Sequence, residues 1–393
     1  MWKRYVSALA ALMLLMGFGR TACAAELSVG TLEETPALEL KCASALLSEP
    51  DSGQIIFEKD ADERRPVASV TKVMSILLTI EALEDGRIAL EDGVVISANA
   101  AGMGGSQVLL DAGETQTVDV LLKSMIVGSA NDATVALAEH IAGSVPVFVN
   151  RMNERAQQLG MNDTHFVNAT GLPAEGQYTT ARDVARMAME LARHELYYTY
   201  STIWLDEVEH ESGRSTSLTN TNRLIRLYEG CDGLKTGSTA EAGYCMAATA
   251  KRSGMRLIAV VLGAESGEER FDIAAEMMDY GFANYRRHPV SEKGTKIRGQ
   301  LPVTGGSADA VTLELDADLT LLIQRGDEQK VTLEARLPET VQAPVHKGQQ
   351  VGSVDVLLDG RVVAQVPVAA AEEIARRRFA DGMKRVVSLW CFQ

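Results

Sequence analysis

The chain has 393 residues, a formal net charge of −15, 46% hydrophobic and 5% aromatic residues, and five cysteines. An acidic balance of this size argues against nucleic acid as a partner. Five cysteines in so long a chain make neither a disulfide scaffold nor a paired zinc pattern, no metal or cofactor is expected, and the length predicts two domains rather than one core.

Lys3 and Arg4 precede an apolar run over residues 6–18, and Ala22-Cys23-Ala24 follows before Ala25. This reads as a secretory signal peptide, residues 1–24, cleaved after Ala24. Arg20 stands where a lipoprotein acceptor cysteine at 23 would want an aliphatic residue. Cleavage removes Lys3, Arg4 and Arg20 and no acids, moving the formal charge from −15 to −18. The mature chain is expected to be exported, and soluble or held by something other than its N-terminus. Its cysteines, Cys42, Cys231, Cys245 and Cys391, read as packing residues, with a Cys231–Cys245 bridge left open.

Residues 43–47 and 54–59 flank the turn Pro50-Asp51-Ser52-Gly53 and predict a hairpin. Val73, Met74, Ile76, Leu77, Ile80 and Leu83 then recur at helical spacing up to Gly86. Helices are also predicted over 118–127 and 132–141, which puts Gly128-Ser129-Ala130-Asn131 at their joint. Residues 160–182 are polar and turn-rich, a long ordered loop of the kind that often carries function, before a helix over 184–192. Three antiparallel strands are predicted over 232–238, 244–250 and 255–263, then a helix over 270–285. Beyond His288-Pro289 the runs 311–315, 319–324, 331–337, 351–358 and 362–368 alternate apolar and polar residues, with a hairpin turn at Asp359-Gly360, and predict a small all-β domain.

Three short stretches carry the chemistry: Ser69-Val70-Thr71-Lys72, Ser129-Ala130-Asn131 and Lys235-Thr236-Gly237. On the first turn of a helix, Ser69 and Lys72 face the same side with β-carbons about 5–6 Å apart. Lys72 can take the serine proton if burial or nearby positive charge lowers its pKa, and Lys235 can supply that charge. Ser129 offers a hydroxyl to relay a proton, and Asn131 an amide to hold a substrate peptide group; taken alone the two read more readily as helix caps, and with their companion triplets as site residues. Lys235 can meet a carboxylate from a strand where Gly237 admits another backbone. The backbone N–H of Ser238 can join that of Ser69 to hold an oxyanion. Arg270 is a second candidate for the carboxylate, against the reading as an ordinary surface arginine. His165, His194 and His210 lie in no hydrolase or metal motif and read as surface or structural residues.

This ordered set resembles the penicillin-interactive enzymes and, within them, the D-Ala-D-Ala carboxypeptidase family. The resemblance extends to Pro66-Val67-Ala68, His165-Phe166-Val167-Asn168, Gly171-Leu172, Gly176-Gln177-Tyr178, Ala181-Arg182-Asp183 and Asp232-Gly233-Leu234. It implies an α+β fold, an antiparallel sheet flanked by helices with a helical lobe, β-lactamase/transpeptidase-like, over residues 25–287. A β-rich domain over 288–370 and an amphipathic helix over 371–393 follow. It also implies the substrate: peptidoglycan stem peptides ending in D-Ala-D-Ala, which acylate Ser69, with β-lactam antibiotics as inhibitors. Lys72 is then the base, Ser129 a relay, Asn131 an anchor, and Lys235, Thr236 and Arg270 the carboxylate site.

A serine β-lactamase is the nearest alternative, but its Glu-x-x-Leu-Asn loop is replaced by Thr164-His165-Phe166-Val167-Asn168. A DD-transpeptidase needs the same groups, and a non-catalytic wall-binding protein is disfavoured by the complete triplets. At the C-terminus, Met383, Val386, Val387 and Trp390 at helical spacing, with Arg376, Arg377, Arg378, Lys384 and Arg385 nearby, predict a helix on an anionic membrane surface. The expected location is the outer face of the cytoplasmic membrane or the cell-wall space.

Overall fold

The computed structural model describes residues 38–378. The expected signal peptide and residues 379–393 of the expected amphipathic helix lie outside them. Five antiparallel strands form the central sheet: β1 (Ser44–Glu49), β2 (Gln54–Lys59), β3 (Cys231–Thr239), β4 (Gly243–Arg252) and β5 (Met255–Ala264), in the spatial order β2-β1-β5-β4-β3. Side chains alternate between the two faces of a strand. On β5, Leu257, Ala259 and Val261 therefore pack into one core, and Ile258, Val260 and Leu262 into the other. The first core is covered by the helix Glu269–Asn284 through Phe271, Met277 and Met278. The second is covered by the helical lobe.

That lobe is built from α1 (Lys72–Glu84), α2 (Val118–Val127), α3 (Asn131–Ala142), α4 (Val145–Gln158) and α5 (Ala181–Leu191). α1 runs through its middle, with Val73, Met74, Ile76, Leu77 and Ile80 wholly buried. Thr117 and Thr180 start α2 and α5 by accepting hydrogen bonds from Val120 N and Asp183 N. α4 and the hairpin Leu205–Glu209/Ser215–Thr219 were not foreseen. α4 buries only Phe148, Val149, Met152 and Ala156 among polar residues, and the hairpin only Val208 and Leu218. Patterns that sparse give little periodic signal.

Strand Tyr285–Ser291 follows the last helix directly and pairs with Leu319–Gln324, so the domain change expected at His288 falls inside a strand. The remaining strands form a six-stranded sheet with its own core around Val311, Leu313, Val356, Val366 and Val368. Arg287 reaches back to Asp51 and Glu49 and ties this part to the β1–β2 turn.

Three expectations are corrected. Ser69 lies on a 3-10 turn, Ala68–Thr71, and the α-helix starts only at Lys72. The Cys231–Cys245 bridge does not form: Cys245 lies opposite Gly237, six residues along β3 from Cys231, about 20 Å away, and both are buried thiols. The amphipathic helix expected from 371 or 372 is not formed over the described part, residues 371–378. Ile374 bridges Val345, Arg376 bridges Gly306, and Arg377 pairs with Asp309 at 2.6 Å, so residues 372–378 run extended along the β domain.

Candidate active site

The turn that carries Ser69 is shaped by backbone. Ala68 has φ of +47°, a left-handed conformation that costs free energy in a residue with a β-carbon. Val70 N closes the turn onto Val67 O at 3.1 Å. Two glycines clamp it from opposite sides. A β-carbon at Gly171 would sit 1.9 Å from Ala68 O, and one at Gly237 would sit 2.7 Å from Val67 O and 2.8 Å from Ser69 N. Side chains three apart eclipse in a 3-10 turn, and Lys72 Nζ donates to Ser69 Oγ at 2.9 Å.

Lys72 is wholly buried, and its second contact is a donation to Thr170 O at 2.7 Å. Burial holds its pKa well below the usual lysine range, the charge of Lys235 pushes the same way, and Asp132 opposes. A neutral amine has one lone pair. With one N–H held by Thr170 O, that lone pair can turn to the serine hydroxyl. The carbonyl is presented by Asn168, whose Oδ1 accepts Thr170 N at 3.1 Å and Gly171 N at 2.7 Å while its Nδ2 donates to Leu172 O at 2.9 Å. Gln177 Oε1 in turn accepts Asn168 N at 2.9 Å. The long polar loop is thus a brace for the lysine. Thr170 was not singled out from the sequence, because a backbone carbonyl leaves no residue-type signature; Asn168 stood only within a stretch that carries the resemblance, with no role given to it.

The second wall is the α2–α3 joint. Ser129 is left-handed at φ +60°, and its buried Oγ has no hydrogen-bond partner. Neither it nor Asn131 acts as a helix cap, since the N-cap position of α3 is Ala130. Asn131 Nδ2 donates to Gly104 O at 2.6 Å and leaves Oδ1 buried without a partner. The atom it can offer a substrate is therefore an acceptor. Asp132 holds the adjoining loop by accepting Val108 N and Leu110 N at 3.1 Å. Gly105 of that loop reaches the Thr170 loop: its β-carbon would lie 3.6 Å from Leu172 Cδ2.

β3, an edge strand, forms the third wall. Lys235 is 1% exposed, and its one hydrogen bond among the described residues is a donation to Thr236 O at 3.3 Å. Burial and then the charge of Arg270 lower its pKa to about 7. Thr236 is buried, and Ser238 is exposed one turn of the pleat further on. Arg270 packs against Phe271 and Tyr244 and donates to Gly237 O at 3.1 Å, and its buried Nε has no partner. Among the described residues no carboxylate pairs with Lys72, Lys235 or Arg270. The histidines lie in other contacts: His165 with Gly176 O, His194 with Glu84, and His210 with Glu114 and Thr216.

A serine beside a buried, uncompensated lysine, in a cleft between an antiparallel sheet and a helical lobe, defines the penicillin-binding class of serine acyl enzymes. The D-alanyl-D-alanine carboxypeptidase profile matches residues 30–266, and that of the penicillin-binding protein 5 C-terminal domain matches residues 285–376. The chain is 38% identical over 389 residues, 99% of each chain, to D-alanyl-D-alanine carboxypeptidase DacF of Bacillus subtilis. It is 33% identical to DacC of Escherichia coli, over 92% of this chain and 90% of that one. Penicillin-binding protein 5 from Haemophilus influenzae superposes with a TM-score of 0.76 at 32% identity, covering 87% of this chain and 100% of that one. The chain belongs to the D-alanyl-D-alanine carboxypeptidase family, and it is a serine-type hydrolase of that activity.

Two predictions follow from the buried amine. Asn168→Ala should slow acylation by a labelled penicillin by about ten-fold or more while far-UV circular dichroism stays unchanged, because Thr170 O is released from its brace; an unaltered rate would refute the brace. Lys235 has a folded pKa of about 7, below its unfolded value, so the unfolded chain binds more protons at pH above 7 and stability rises with pH there. Lys235→Met should therefore raise the melting temperature most below pH 7, and the gain should shrink as pH climbs toward the free-lysine pKa, as calorimetry across pH would read.

Proposed function

We propose that Ser69 is the acylated nucleophile and Lys72 its base, and that the substrate is the D-Ala-D-Ala terminus of a peptidoglycan stem peptide. The observation that carries this reading is the 2.9 Å contact from Lys72 Nζ to Ser69 Oγ, with the amine buried and its other contact on Thr170 O. Lys72 takes the hydroxyl proton as Ser69 Oγ bonds to the carbonyl carbon of the penultimate residue. The oxyanion that forms lies between the backbone N–H groups of Ser69 and Ser238, a role favoured by the close approach of Gly237 to the Ser69 turn. Asn131 Oδ1 accepts a peptide N–H of the substrate. The terminal carboxylate lies between Lys235, Thr236 and Arg270, where unpaired cations await an anion.

The scissile C–N bond then breaks, and the proton held by Lys72 passes through Ser129 Oγ to the departing amine. Water attacks the ester with Lys72 again as base, and Ser69 regains its hydrogen. A β-lactam enters by the same acylation and has no leaving group to diffuse away. With no carboxylate paired to Lys72 among the described residues, the water is poorly activated, which favours a long-lived drug ester over a β-lactamase. The chain is also 29% identical to the Streptomyces K15 DD-transpeptidase over 63% of its length, with a TM-score of 0.59, so transfer of the acyl group to an amine is the second reading. It is read as product partition when an amine acceptor is added.

The enzyme is proposed to be exported after loss of residues 1–24, with its catalytic domain over 25–287 and a β-rich domain over 288–370. It acts at the outer face of the cytoplasmic membrane or in the cell-wall space. No helix among the described residues is long and apolar enough to cross a membrane. Membrane association is assigned instead to residues after Arg378, because Arg376 and Arg377 are engaged with Ala343 O and Asp309 of the β domain.

Ser69→Ala should abolish both penicillin labelling and D-Ala release without loss of fold; labelling that persists at another residue would unseat the nucleophile. A mature chain ending at Arg378 should fail to float with anionic vesicles at low salt while the full chain floats. Equal behaviour of the two would remove the anchor and leave the chemistry untouched.

A further inference from the structure

Residues 220–222 connect the strand Ser215–Thr219 to the short helix Leu224–Leu227. Both asparagines spend their side chains on backbone. Asn220 Nδ2 donates to Ser201 O at 2.9 Å and Ile203 O at 2.8 Å, and its Oδ1 accepts Asn222 N at 2.9 Å. Asn222 Nδ2 donates to Gly233 O at 2.9 Å, and its Oδ1 accepts Leu224 N at 3.0 Å. Thr221 is therefore fixed from both sides. Its backbone N donates to Val127 O at 3.2 Å, two residues before Ser129. Its hydroxyl accepts a hydrogen bond from Thr236 Oγ1 at 2.8 Å. The same segment abuts the α2–α3 joint, where a β-carbon at Gly128 would lie 2.6 Å from Leu218 Cδ2.

We propose that Thr221 is a positioning residue for the carboxylate site: its hydroxyl orients Thr236, and its backbone sets the spacing between the Ser129 wall and the Lys235 wall. The inference deepens the reading of Lys235, Thr236 and Arg270 as a carboxylate site and rests on it. A hydroxyl has one hydrogen and two acceptor lone pairs. Thr236 directs its hydrogen to Thr221. A substrate carboxylate, which only accepts, demands that hydrogen, and Thr221 then becomes the donor and fills a lone pair of Thr236. The pair reverses polarity without an oxygen atom moving. Valine at 221 keeps the shape and can neither accept nor donate, so Thr236 loses its orientation and its partner. Because the carboxylate is bound in both ground and transition states, the effect belongs in KM.

The experiment compares a D-Ala-D-Ala peptide bearing a free C-terminal carboxylate with the same peptide as its C-terminal amide, using wild type, Thr221→Val, Thr221→Ser and Thr236→Val. Thr221→Val should raise KM for the acid about ten-fold, the size of one hydrogen bond to a charged group. It should change kcat less, leave the amide unaffected and so shrink the acid-to-amide preference, and Thr221→Ser should restore that preference. Thr221→Ala serves as a second variant with the same expectation, and the stoichiometry of penicillin labelling establishes that each variant is folded. Equal losses on acid and amide, or none on either, overturn the proposal for Thr221. If Thr236→Val also leaves the preference intact, the carboxylate-site reading itself has failed; if it shrinks the preference while Thr221→Val does not, only Thr221 is removed.

Discussion

Burial of the Lys72 amine is the constraint around which the rest of the molecule is arranged. A lysine withdrawn from water without a carboxylate partner cannot hold its proton at the usual pH, and a neutral amine 2.9 Å from Ser69 Oγ is placed to accept the hydroxyl proton. The second buried lysine, Lys235, adds its charge to the same end. Both are costly to the fold, and the helical lobe has to be tight enough to keep water from them. The wholly buried run along α1 supplies that seal.

A base is useful only if the hydroxyl is held against it, and here backbone does the holding. Ala68 and Ser129 both have positive φ, and such residues persist only where their surroundings over-determine them. At Ala68 the surroundings are Gly171 and Gly237, each too close to the turn to carry a β-carbon. One comes from the polar loop and the other from the edge of the sheet, so the nucleophile turn is where the lobe and the sheet meet. The brace on Thr170 O lies one residue from the first of these glycines, which joins the position of the serine to that of its lysine.

The charge distribution follows the same logic. A chain of net charge −15 collects Lys72, Lys235 and Arg270 in one cleft, and among the described residues none of them is paired with an acid. Its carboxylates are spent elsewhere, as where Arg155 bridges Glu81 and Glu190, or Arg256 meets Asp232 at 2.7 Å. Cations gathered in one cleft of a net-negative chain make that cleft the favourable place for an anionic ligand. The β-rich part is fastened through Arg287 to the β1–β2 turn, at the opposite edge of the sheet from β3.

Sequence alone determined the family, because the side chains of the proposed site, Ser69, Lys72, Ser129, Asn131, Lys235 and Arg270, are visible as residue types, the first five within three short stretches. It also determined strands β3 to β5 and helices α1 and α2, whose apolar periods are unbroken. Tertiary structure decided what depends on backbone and on contacts between distant segments. Thr170 acts through a carbonyl that every residue possesses, and Thr221 matters only because folding brings it 2.8 Å from Thr236. The Cys231–Cys245 bridge was excluded by strand register, which a spacing of residues cannot reveal. The expected helix is not formed over 372–378 because those residues find hydrogen bonds on the β domain, and a helical pattern in the chain gives way wherever such partners are in reach.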